Sequence, residues 1–101
     1  MINILEFLQN LNYQAWCLKG GPTEVENYKL ELIVERFNKK YDNFERLDHQ
    51  KFLNRYEWKI GLYKNGKWYL DRIDKSKCEG PQRYDLGDQL IKVFEWLMEV
   101  R

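Results

Sequence analysis

The sequence predicts an α+β fold: a two-layer sandwich of order α-β-β-β-α, with an antiparallel three-stranded sheet and two helices on one face. Three observations predict it. Tyr56 to Ile73 reads as a β-hairpin, amphipathic helical stripes stand near both ends of the chain, and residues 27–37 alternate apolar with polar.

The hairpin is the strongest of these signals. Asn65-Gly66 lies between two runs rich in Trp, Tyr, Ile and Leu, and Gly takes the positive φ of a tight turn without steric cost. A two-residue loop would pair Ile60 with Asp71 and set a carboxylate opposite a core residue. A three-residue loop, Lys64-Asn65-Gly66 with Gly66 left-handed in a G1 bulge, instead pairs Leu62 with Trp68, Ile60 with Leu70 and Trp58 with Arg72. Lys59 then meets Asp71, and Gly61 meets Tyr69. This register separates an apolar face (Trp58, Ile60, Leu62, Trp68, Leu70) from a polar one, so it is the expected one. Burial of each large side chain contributes roughly 1.5 to 3 kcal/mol, and Trp58→Ala should cost about 3 to 5 kcal/mol.

The remaining elements follow in order. Asn3 caps a helix over residues 3–18, with Glu6 three residues on. Ile4, Phe7, Leu8, Leu11, Ala15 and Leu18 fall within about 100° of arc on it. Gly20-Gly21-Pro22 ends it, because Gly accepts the left-handed C-terminal position and Pro cannot continue the helix. A break near Asn12 is the alternative. Thr23 and Glu26 suggest a second capping box, but a helix there would put Lys29 and Arg36 in the middle of its apolar arc. As a strand, residues 27–37 place Tyr28, Leu30, Leu32 and Val34 on one face, and only Ile33 breaks the alternation. A strand is expected there. Residues 38–54 fit neither period and read as a long connection, with room for a short helix capped by Asp48; a connection of that length is either functional or conceals an element. Asp74 to Tyr84 is turn chemistry. Asp85 or Asp88 then caps a last helix carrying Leu86, Leu90, Val93, Phe94 and Leu97. Trp96 and Met98 lie off that stripe, so the helix is either buried on two sides or offers a patch to a partner.

At 101 residues without linker or repeat, the chain reads as a single domain over 1–101. Its formal net charge is only +1, yet the charge is uneven: residues 38–84 carry a net of +5, and the segments before and after carry −2 each. The absence of a basic n-region at Met1-Ile2-Asn3, and of an apolar run near the roughly 20 residues that span a bilayer, leads us to expect a cytoplasmic protein with no membrane partner. Cys17 and Cys78 form no disulfide framework and are expected to be reduced thiols, pairing only if the protein is exported. The abundance of Asn, Lys, Tyr and Ile with a single Ala fits an AT-rich bacterial or phage genome.

No catalytic constellation is evident. Ser76 sits in a Lys-flanked loop without an elbow motif, and His49, the one histidine, reads as a solvated residue of a charged segment. No CxxC or HxxxH spacing gathers Cys17, Cys78 and His49 around a metal, and Gly20-Gly21-Pro22 lacks the Lys and Ser/Thr of a phosphate loop. Neither catalysis nor a cofactor is expected. The basic segment interleaves Lys and Arg with Tyr63, Tyr69 and Tyr84, a pattern that holds nucleic acid in some proteins and in others only keeps a sheet soluble.

The α-β-β-β-α order resembles the double-stranded-RNA-binding domain, and GGPTEVENYKLELIVERF is similar to that family's Gly-Pro loop and first strand. The family's basic KKxAK cluster at the start of the last helix is replaced here by acidic DLGDQL. The resemblance is therefore one of topology and carries no phosphate contact over. The expected function is that of a small non-enzymatic protein that inhibits a larger protein target, of the immunity-protein or phage counter-defence kind. Its expected contacts are Tyr63, Lys64, Lys67, Tyr69 and Arg72 on the hairpin, then Lys75, Lys77 and Arg83 after it. The alternative is nucleic-acid binding by the same residues. A third reading is a dimer through Trp96 and Met98 of the C-terminal helix. Tyr69→Ala is expected to spare stability while weakening partner binding.

Overall fold

The computed structural model describes residues 3–100; the reading of Met1 and Ile2 lies outside them. The fold is α+β, in the order α1 (Ile4–Lys19), α2 (Asn27–Lys40), α3 (Asn43–Arg55), β1 (Tyr56–Leu62), β2 (Trp68–Asp74), β3 (Gln82–Gly87) and α4 (Leu90–Glu99). The sheet is antiparallel with strand order β1-β2-β3. The four helices join its inner face in one apolar cluster, which includes Leu8, Leu30, Leu53, Leu70 and Phe94.

The hairpin has the expected register. Leu62 pairs with Trp68, Ile60 with Leu70, Trp58 with Arg72, Lys59 with Asp71 and Gly61 with Tyr69. Gly66 has φ 85°, its N–H reaches the Tyr63 carbonyl at 3.0 Å, and Tyr63 N–H closes the loop on the Lys67 carbonyl at 2.9 Å. Trp58, Ile60, Trp68 and Leu70 are buried, and Leu62 is half-buried at the rim. Helix α1 also forms as expected: Asn3 Oδ1 accepts the Glu6 N–H at 3.1 Å, and Gly20, at φ 80°, ends the helix. Leu18, expected in its stripe, is exposed because the helix stops one residue later.

Residues 27–37 form helix α2, not a strand. Leu30, Ile33 and Phe37, spaced i, i+3 and i+7, make its buried stripe. Ile33, the residue that broke the alternation, is the core residue here. Tyr28 and Leu32, which created the alternation, are exposed. Residues 43–55 form helix α3, started by a capping box between Asp42 and Glu45 rather than by Asp48. Only His49 and Leu53 of α3 are buried, which is too little apolar surface to give a period in the sequence. The third strand is Gln82–Gly87, where turn chemistry and the cap of the last helix were expected. With a helix where the first strand should stand, the order no longer matches that of the double-stranded-RNA-binding domain.

Helix α4 is buried on two sides. Leu90, Val93, Phe94, Leu97 and Met98 are enclosed, and Trp96 lies half-buried between the rings of Tyr84 (4.7 Å) and Trp58 (6.0 Å). Its ends are capped from a distance. Gln89, at the cap position, makes no side-chain bond; Glu24 Oε1 instead accepts the Leu90 N–H at 3.1 Å. At the other end His49 donates its Nε2 proton to the Leu97 carbonyl at 2.7 Å, one of the last four carbonyls that the helix itself leaves open. His49 is 1% exposed, with Phe37 and Phe52 beside it, and so is no solvated residue. Burial pushes the Glu24 carboxyl up, but hydrogen bonds from its own backbone, from Leu90 and from Lys19 together hold it below the usual range.

Candidate functional site

The hairpin brings its polar side chains to the sheet face turned away from the helices, because successive strand residues point to opposite sides. Two rows cross all three strands there. Lys59, Asp71 and Arg83 form one; Gly61, Tyr69 and Asp85 form the other. Tyr63 stands at the loop end of the second row.

These side chains interlock. Arg83 grips Asp71 with both arms of its guanidinium, Nε to Oδ1 at 2.8 Å and Nη2 to Oδ2 at 3.0 Å. The same guanidinium lies 3.9 Å from the centre of the Tyr69 ring. Tyr69 covers Gly61, where a methyl group would fall inside the ring, so the glycine is what lets the tyrosine lie flat on the sheet. The Tyr63 ring packs against Tyr69 at 4.6 Å, and its hydroxyl donates to Asp85 Oδ1 at 2.8 Å. Hydrogen bonding from Arg83 holds the Asp71 carboxyl below its ordinary value, and the bond to Asp85 pushes the Tyr63 hydroxyl above its own. Arg83 is raised in turn, chiefly by Asp71.

The residues expected from the sequence divide into three groups. Tyr63, Tyr69 and Arg83 lie together on this face. Lys64 and Lys67 line a concavity of about 630 Å³ at the hairpin tip, with Tyr63, Asn65, Asp85 and Gly87. Arg72, Lys75 and Lys77 lie at the opposite end of β2, roughly 20 Å away along the strand. Arg72 points to the helical side, where it stacks on Tyr56 (4.4 Å) and bonds Gln82. Lys75 donates to the Asn54 carbonyl at 3.2 Å and so closes the end of α3, a favourable place for a cation. The eight positions therefore do not form one patch.

Asp71 and Gly61 lie on this face as the register predicts, though neither was among the expected partner contacts; Asp85, expected as a helix cap, completes it. A signal for Asp85 exists in QRYDLG, where Arg83 and Asp85 alternate with Tyr84 and Leu86. Among the described residues no cluster of three metal-ligating side chains occurs, and Cys17 and Cys78 are exposed free thiols. No helix there is long and apolar enough to cross a membrane. Comparison with known proteins finds no family model, no curated protein and no solved structure that matches this chain.

Proposed function

We propose that the chain is a non-enzymatic binding module that occludes a surface of a larger protein, as an immunity protein or phage counter-defence inhibitor does, using the open face of its sheet. The observation that supports this reading is the double engagement of Arg83, paired with Asp71 and stacked on Tyr69. Tyr and Arg side chains held rigid before contact make good interface anchors, since little rotamer freedom remains to be lost on binding. Lys64 and Lys67 at the tip suit an acidic rim on the partner, and Lys77 adds a cation at the far end. Arg72 and Lys75 serve the fold instead.

The charge of the face favours a protein over nucleic acid. Its two cations, Lys59 and Arg83, stand among three carboxylates, Glu57, Asp71 and Asp85, which would repel a phosphate backbone. The test is capture from a host lysate with the purified chain as bait, with and without nuclease. A discrete protein band that survives nuclease, and that weakens about tenfold when Lys64→Glu and Lys67→Glu are combined, is the expected result. Recovery only without nuclease, with affinity falling steeply as salt rises, would transfer the assignment to nucleic acid.

A further inference from the structure

The sheet ends in a strand with one side open. β3 has β2 on one side and no strand on the other, and among the described residues no backbone group of 82–87 bonds to a helix or loop. The opposite edge, β1, has α1 packed against it. The hairpin loop tells which groups β3 leaves open. The Tyr63 N–H bonds the Lys67 carbonyl at 2.9 Å, and bonded pairs alternate with non-bonded ones along antiparallel strands. Gly61–Tyr69 and Lys59–Asp71 are therefore bonded pairs, and Leu70 and Arg72 turn their backbone groups to β3 instead. There they meet Tyr84 and Gln82, so Arg83 and Asp85 carry their N–H and C=O groups on the free edge.

The side chains along this edge are complementary to themselves. Arg83 and Asp85 stand two residues apart on the outer face, one cationic and one anionic, and both are exposed. Tyr84 and Leu86, on the inner face, are only half-buried, although the Tyr84 ring lies 4.7 Å from that of Trp96.

From these features we infer that β3 pairs with β3 of a second copy, antiparallel across a two-fold axis at Tyr84, and joins the two sheets into one. An axis perpendicular to the sheet reverses the strand and keeps its faces, so Arg83 meets Asp85 of the second copy, and Asp85 meets its Arg83. All of these residues have open backbone groups, so each Arg83–Asp85 pair exchanges both of its N–H···O bonds. The row of Lys59, Asp71 and Arg83 then continues into Asp85 of the second copy, with the charge alternating at every step. Tyr84 meets its own symmetry mate in a non-bonded pair, where side chains stand closest, and each ring covers the half-buried flank of the other. Charge selects this register: an axis at Arg83 would oppose two guanidinium groups, and one at Asp85 two carboxylates. Pro81, which has no N–H, and the register shift of β3 past Asp85 keep the pairing short. The contact joins like to like and closes at two copies. It leaves the two outer faces side by side and open, and it does not rest on the function proposed for them.

Sedimentation velocity between about 1 µM and about 500 µM, with amide exchange at both ends of the range, tests it. The wild-type chain is expected to pass from monomer to dimer. Exchange at the Arg83 and Asp85 amides should slow in proportion to the dimer formed, whereas that at Tyr84, whose amide faces β2, should not change. Asp85→Lys sets a cation against Arg83 on both sides of the axis and should weaken association about tenfold or more. Arg83→Glu alone should do the same. A mixture of the two variants should recover the dimer, since lysine then meets glutamate and the native arginine meets the native aspartate. The exchange measurement needs no variant and stands even if Arg83→Glu, which loses its grip on Asp71, does not fold. A wild-type monomer at every concentration overturns the inference. So does a dimer whose Arg83 and Asp85 amides exchange at the monomer rate, which would move the contact elsewhere, for example to the exposed Tyr13 and Trp16 of α1.

Discussion

Helix α4 and the outer face of the sheet solve the same problem, the placing of polar groups, in opposite ways. The helix is enclosed, and its two open ends are closed by Glu24 and His49, which lie 66 and 48 residues away in sequence. On the sheet face the pairings stay within the three-stranded hairpin segment, Asp71 to Arg83, Gly61 to Tyr69 and, at the loop end, Tyr63 to Asp85, 22 residues apart. The long-range bonds tie the α1–α2 connection and α3 to the two ends of α4 and cannot be lost without exposing core. The cross-strand bonds arrange side chains that water already reaches. Polar contacts at the helix ends should therefore carry stability, whereas those on the face should mainly fix its shape.

The comparison breaks first at the core. Trp58 fills the inner face and also donates its indole N–H to the Leu53 carbonyl at the end of α3 (2.9 Å), so Trp58→Ala should cost about 3 to 5 kcal/mol in urea unfolding. His49→Ala comes next, at about 2 to 4 kcal/mol, since it leaves both a cavity between Phe37 and Phe52 and the Leu97 carbonyl without its donor. A loss under about 1 kcal/mol would show that water replaces the imidazole, and the helix end would then not depend on α3. Glu24→Ala should cost about 1 kcal/mol, the ordinary value of a helix N-cap, even though this cap comes from another element.

On the face the effects should be smaller. Tyr69→Ala uncovers Gly61 and removes the platform under Arg83, and a loss of about 1 kcal/mol is expected, with Tyr69→Phe close to neutral. This revises the expectation that the side chain is free of structural duty. A loss above about 3 kcal/mol would place Tyr69 in the class of the core residues and erase the distinction between the two regions.

How much of this was legible follows from the range of the interactions. The hairpin declared itself because its turn, its register and its apolar face are all set within eighteen residues of chain. Helix α1 did so because its cap and its C-terminal glycine are local. Helices α2 and α3 did not. The exposed Tyr28 and Leu32 of α2 imitate a strand and mask the Leu30, Ile33 and Phe37 stripe, and α3 buries two side chains only, so its one local signal is the capping box of Asp42 and Glu45. His49 misled for the same reason: its neighbours in sequence are charged, and its neighbours in space are two phenyl rings. Of the site, the tyrosines and Arg83 were legible, but the separation of Arg72 and Lys75 from them depends on which side of the sheet each faces and on where α3 ends.

The mildest test isolates the Asp71–Arg83 pair by acid. Because Arg83 holds the Asp71 carboxyl below its unfolded value near 4, the unfolded chain takes up this proton before the folded one does. The stability that the pair supplies is therefore complete above about pH 4 and drains away as the pH falls through the depressed value of the folded state. Glu24 and Asp74 are depressed as well and lose stability in the same direction, Asp74 through its bonds from Ser76. Asp71→Asn should thus lower the urea midpoint slightly at neutral pH and make its decline below about pH 4 shallower, without abolishing it. Glu24→Gln should do the same while loosening α4. The discriminating readout is amide exchange at Leu90, which Glu24→Gln should accelerate and Asp71→Asn should leave alone. Equal exchange in the two variants would mean that helix and face are coupled more tightly than their separate hydrogen bonds imply.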